Sequence, residues 1–97
     1  MSDIKERFNS LAKRWKEDTH FHSSISIITE HPAYQEICKM SPEEVLPLIR
    51  KELENDIDHW FVALRHLTGE NPIKIEDRGK MQKMADTWVK WLKERGY

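Results

Sequence analysis

The chain predicts an all-α fold, a compact bundle of four to five helices, and three observations carry that prediction. Apolar residues recur at three- and four-residue intervals in segments spread along the whole chain. Helix-start chemistry punctuates those segments, most clearly at Ser41-Pro42-Glu43-Glu44. The only β-prone run, Ile25-Ser26-Ile27-Ile28-Thr29, has no second strand to pair with, and a lone strand is not stable in water.

The first helix is expected over residues 3–17. Ile4, Phe8, Leu11, Ala12 and Trp15 form one stripe. Ser2 or Asp3 is placed to cap it, with Glu6 closing a capping box, and Lys13, Arg14 and Lys16 suit the dipole at its end. The polar stretch 18–24 reads as a connection, with Ser23 or Ser24 capping a short helix through Ile25, Ile27 and Ile28. Pro32 is suited to a first helical position, and Ala33, Tyr34, Ile37 and Cys38 follow at helical spacing. From Ser41 a longer helix runs to about Glu54, with Val45, Leu46, Ile49 and Leu53 inward. Pro47 falls inside it and is expected to bend or restart it.

Residues 58–68 are the expected centre. Trp60, Ala63, Leu64 and Leu67 form one apolar face, while Phe61 and Val62 fall outside it, so this helix is apolar around most of its circumference. Asp58 can cap its start and Gly69 its end. The first and last helices are expected to pack over it. Residues 70–77 read as an extended connection, and a last helix is expected over 78–95. There Met81, Met84, Ala85, Trp88, Trp91 and Leu92 share a face, and Gly96 ends it.

Ninety-seven residues bound a single domain, 1–97, with a modest core. Four Trp, three Phe and two Tyr supply the buried area that 38% hydrophobic content alone would not. A net charge of −1 gives no global attraction to nucleic acid or membrane. One cysteine, Cys38, excludes an internal disulfide and a cysteine-rich zinc site. No apolar run approaches the ~20 residues of a membrane span. The N-terminal residues lack the apolar core of a signal peptide, so a soluble cytoplasmic protein is expected.

Leu46-Pro47-Leu48, the acidic turn from Asp56 to Asp58, and Ala63-Leu64-Arg65 with Leu67 and Gly69 resemble one HEAT-type unit over residues 45–72. That resemblance implies a packed helical hairpin and protein binding. It identifies no ligand, and one unit is fewer than a solenoid needs. The chain as a whole is similar to small bacterial proteins, a resemblance that implies no activity.

The candidate sites divide by chemistry. His20 and His22 lie two apart in a connection, and His59 and His66 are seven apart on the central helix. None has the close spacing of a helical zinc pair, so no metal, cofactor or catalytic residue is assigned. A nucleophilic centre combining Ser23, Ser24 or Cys38 with His20, His22 or His66 has its residue types present but nothing to fix them together. Local charge is more uneven than the total. Residues 41–58 balance at −4, whereas residues 1–17 and 76–95 are each +2. Lys80, Lys83 and Lys90 share a stripe about 120° from the tryptophan face, which could meet phosphates or an acidic partner. Four tryptophans exceed what so small a core comfortably encloses, and Trp favours interface hot spots. Trp60, Trp88, Trp91 and the adaptable Met84 are therefore the partner-binding candidates. The function expected first is a non-enzymatic protein-interaction module, a homo-oligomer or the small regulatory, antitoxin-like partner of another protein. A nucleic-acid regulator using the lysine stripe comes second, and a histidine-based enzyme or metal protein third.

Overall fold

The computed structural model describes residues 3–97. They form α1 (Ile4–Thr19), α2 (Ile25–Thr29), α3 (Pro32–Cys38), α4 (Pro42–Asn55), α5 (Phe61–Thr68) and α6 (Met81–Glu94), with one 3₁₀ turn at Ile75–Asp77. The all-α class holds, and no strand occurs among the described residues. Six α-helices form among the described residues, against the expected four to five, and both short segments, at Ile25 and at Pro32, are helices of their own.

The starts of the helices show which local signals were used. Asp3 caps α1, its Oδ1 accepting from the Lys5 N–H at 2.9 Å. The alternative cap, Ser2, lies outside the described residues. Ser24 and Ser41 occupy the cap positions of α2 and α4, yet neither side chain closes a cap bond. At Ser41 the main-chain carbonyl takes the work, accepting from the Glu44 and Val45 N–H groups at 3.1 and 2.9 Å. His31 caps α3 in a way no motif announces: its Nδ1 accepts from the Ala33 N–H at 3.0 Å, while Nε2 faces Asp18 Oδ2 at 2.7 Å. Pro47 does not restart α4, which is continuous from Pro42 to Asn55. The carbonyl that Pro47 leaves without a partner is four residues back on Glu43, in the exposed first turn, where water can satisfy it.

The expected centre shifts. The helix of residues 58–68 begins only at Phe61, because Asp58 makes a turn instead of a cap. Its carboxylate accepts from the His59 N–H at 2.7 Å and its carbonyl from the Trp60 N–H at 2.8 Å. Tyr34, from α3, supplies the missing cap. The phenol oxygen accepts from the Ala63 N–H at 2.9 Å and donates to the His59 carbonyl at 2.8 Å. Gly69 ends α5 as expected, at φ 71, with its N–H on the Arg65 carbonyl at 2.9 Å. Such a left-handed residue closes a helix at no steric cost only when it is glycine.

The core is built around Trp60. Its ring lies 5.5 Å from Phe8, 4.7 Å from Trp15 and 6.0 Å from Tyr34, and Trp15 lies 5.0 Å from Tyr34. Each aromatic pair adds about 0.5–1.5 kcal/mol to plain area burial. Trp15 also donates from Nε1 to the Ile28 carbonyl at 2.8 Å, which pins α2 to α1. Of the two helices expected over residues 58–68, α1 does meet them, Phe8 and Trp15 packing on Trp60, whereas α6 rests on α4. Otherwise α1 rests mainly on α3 and α4, and α5 on α3 and α4. At the far end of α4, Glu54 accepts from Arg50 at 2.6 Å and pairs with Lys93 of α6 at 3.1 Å. The Lys93 ammonium, with Arg50 beside it, holds the Glu54 carboxyl below the usual carboxylate range.

Candidate functional site

Because α5 and α6 both lean on α4, they diverge from each other and leave one side of α5 uncovered. There the structure opens a groove of about 510 Å³. One wall is the outward side of α5, with Phe61, Val62 and Arg65; the other is the start of α6, with Met81, Met84 and Trp88. Ile25 and Thr29 of α2, together with His59, close one part of it, and Asn71, Ile73, Arg78 and Gly79 of the connection close another. The connection can run there because Gly79 takes φ 82, which lets the chain leave the 3₁₀ turn and enter α6. That geometry is also why α6 starts at Met81 and not at 78.

The floor of the groove is apolar and its rim is basic. Val62, Ile73, Met81 and Met84 are half-buried, and Ile25 is 54% exposed. Arg65 and Arg78 are exposed, and neither has an acidic partner among the described ion pairs. Among the described residues no Asp or Glu lines the groove, although the chain carries seventeen of them. The dimensions lie within the about 300–1,000 Å³ typical of binding clefts, and the mix of apolar lining with a few placed polar groups matches them too.

The predicted partner-binding residues divide. Met84 lines the groove wall. Trp88 also lines it but is fully buried, so it backs the α6 wall and presents no projecting anchor. Trp60 is equally buried at the centre of the aromatic core and has no free surface for a partner. Trp91 lies elsewhere: it packs edge-on against Trp88 at 5.4 Å, and the Arg95 guanidinium sits 3.8 Å over its ring. Four tryptophans fit this core after all, because three of them are fully buried and the fourth is half-covered. The crowding has a cost: the Trp60 and Trp88 indole N–H groups are buried without a hydrogen-bond partner.

The lysine stripe does not form one basic surface. Lys83 lies 4.0 Å from Asp77, and Lys90 lines a separate recess with Glu54, Asp56, Asp86 and Glu94. Lys80, Lys83 and Lys90 are all exposed, so their field is interrupted by acids. Of the histidines, His20 and His22 do gather with His59 around a small recess that also holds Asp56 and Asp58. His66 is not part of it. Among the described residues no group of three or more His, Cys, Asp or Glu side chains converges to hold a metal. Cys38 is a free thiol in the core, pushed up in pKa by its burial, and it does not line the recess of these histidines.

Arg65 and Arg78 escaped the reading of the sequence, yet a signal for them existed. Neither has an acid three or four residues away, which is where a helical or turn neighbour would neutralise it. Among the described residues no helix is long and apolar enough to cross a membrane. No family model, curated protein or solved structure matches the chain.

Proposed function

We propose that this protein is a non-enzymatic protein-interaction module whose docking surface is the groove between α5 and α6. The observation that carries this reading is an apolar, methionine-walled groove rimmed by two unneutralised arginines. Folding alone gives no reason to leave Val62, Ile73, Met81 and Met84 half-covered side by side, since burying them would stabilise the chain at about 25 cal/mol per Å². Methionines keep such a wall adaptable to the shape of a partner. The HEAT-like reading of residues 45–72 belongs to the same proposal. Successive helices α4 and α5 pack on each other as such a pair does, and the outer side of α5 is the side presented. The apolar floor and the interrupted lysine stripe favour a protein partner over nucleic acid.

Photocrosslinking tests the proposal. A photoreactive amino acid replaces Val62 or Met84 in the groove, or Lys13 on the exposed side of α1 as a control. Discrete protein adducts from the groove positions and none from Lys13 are expected, and mass spectrometry then separates a second copy of the chain from a different protein. Identical adducts from all three positions, or none from the groove, would sink the proposal.

A further inference from the structure

We infer that the occupant of the groove is an acidic amphipathic segment of another protein, apolar residues on the floor and carboxylates on Arg65 and Arg78; this rests on the groove being the docking surface. Charge complementarity is the argument. The chain as a whole is slightly acidic, at −1, so an anionic partner would find no general attraction to it. The groove reverses that locally, holding two arginines and a histidine in its lining and no carboxylate.

Several of the chain's acids are held in ion pairs within the fold, and none of those pairs involves Arg65 or Arg78. Glu54 binds Arg50 and Lys93, Glu52 binds Lys16 at 2.7 Å, and Glu36 binds Arg7 at 3.1 Å. Asp77, the acid next to Arg78 in sequence, turns to Lys83. Arg65 and Arg78 are thus free to receive charge from outside, and a planar guanidinium suits a carboxylate through two parallel N–H bonds. Arg65 projects from α5 and Arg78 from the connection, so they sit on two different walls. An incoming segment spans from one to the other across the apolar floor. That pattern describes an amphipathic helix laid in a groove, with apolar anchors at helical spacing and acids on its flanks. A second copy of the chain fits less well. Its most acidic stretch, residues 41–58, already spends Glu52 and Glu54 within the fold, and its apolar residues Val45, Leu46, Ile49 and Leu53 are buried.

The test is peptide display on the wild-type protein, on Met84→Glu and on the double variant Arg65→Glu/Arg78→Glu. Both arginines are exposed, so the charge reversal keeps the fold, checked by an unchanged circular-dichroism spectrum. Binding of selected peptides is then measured by fluorescence anisotropy at several salt concentrations. The expected peptides carry Asp or Glu flanking two or three apolar residues and lose binding on Met84→Glu. They weaken at least tenfold on the double charge reversal and with rising salt. Peptides remade with Lys in place of the acids should recover on the reversed variant. Groove-dependent peptides with no acidic bias, indifferent to the two arginines, overturn the acidic occupant and leave the docking groove standing. Peptides indifferent to Met84→Glu, or no selected peptide at all, overturn the groove itself. Self-association of the wild type at micromolar concentration, abolished by Met84→Glu, makes a second copy the occupant and also overturns the proposal.

Discussion

Replacing Tyr34 by Phe should cost this fold far more than the loss of one oxygen suggests. The hydroxyl does two jobs at the start of α5: it accepts from the Ala63 N–H at 2.9 Å and donates to the His59 carbonyl at 2.8 Å. Phe keeps the ring and its stacking against Trp60 and Trp15 but removes both bonds. Each is worth about 0.5–1.5 kcal/mol net, and a donor stranded out of water adds its own penalty, so the loss should reach about 2 kcal/mol. Ala63 is fully buried, so water cannot take the place of the phenol at its N–H. No other cap exists, because the residue at that position is Trp60 and it makes no side-chain cap bond. For a domain of this size about 2 kcal/mol corresponds to a fall in melting temperature on the order of 10 °C. Urea unfolding followed by circular dichroism gives the free energy, and an unchanged slope shows that the folded state kept its compactness. Hydrogen exchange at Ala63 supplies the local readout, with protection lost in the variant. A loss below about 0.5 kcal/mol, with Ala63 still protected, would refute the idea that Tyr34 caps α5.

Three other outcomes follow from the same contacts. Burial pushes the Tyr34 phenol well up from its ordinary value and raises the Cys38 thiol. A raised folded pKa gives stability that is complete below the unfolded values, about 8.5 for Cys and about 10 for Tyr, and is lost as pH rises through the folded ones. Urea midpoints should therefore be level from neutral pH to about pH 8 and fall in alkali, less steeply in Tyr34→Phe. Glu54 is shifted the other way by Lys93 and Arg50, so its contribution is present above the unfolded value near 4.3 and disappears as pH falls through the lower folded one. Glu54→Gln should melt below the wild type at pH 7 and converge with it near pH 3; a gap that persists in acid would show the effect is not electrostatic. Trp15→Phe strands the Ile28 carbonyl and leaves a cavity beside Trp60, at a cost of about 2–3 kcal/mol, with faster amide exchange concentrated in α2.

What the sequence made legible was whatever local chemistry decides. The stripe of α1, Pro32 and Pro42 at their first turns and Gly69 at the end of α5 are all signals in which a residue acts on its own segment. What stayed hidden was decided by partners distant in sequence. Tyr34 caps a helix that begins twenty-seven residues later in the chain, and His31 becomes a cap only with Asp18 behind it. The serine caps failed for local reasons: at Ser41 the main-chain carbonyl serves the first turn, and the Ser24 hydroxyl meets Ser26 Oγ at 3.3 Å instead of a main-chain N–H.

The central helix shows how a correct pattern can support a wrong placement. Apolarity around most of α5 predicts burial on all sides, with α1 and α6 over it, yet only α1 meets that stretch, through Trp60. In the structure Phe61, Ala63 and Leu64 are buried, whereas Val62 and Leu67 are only half-buried, and Val62 looks into the groove. Periodicity counts apolar residues but does not say what covers them, and a partner covers a face as well as a neighbouring helix does. The same ambiguity applied to the tryptophans, and there it resolved the other way. Side chains of that size are the most efficient way for a small chain to fill a core, so three of the four went inside. The half-buried residues that line the groove are smaller and more pliable: Val62, Ile73, Met81 and Met84. A short chain puts its largest side chains into its own stability and leaves half-covered the residues whose exposure costs least.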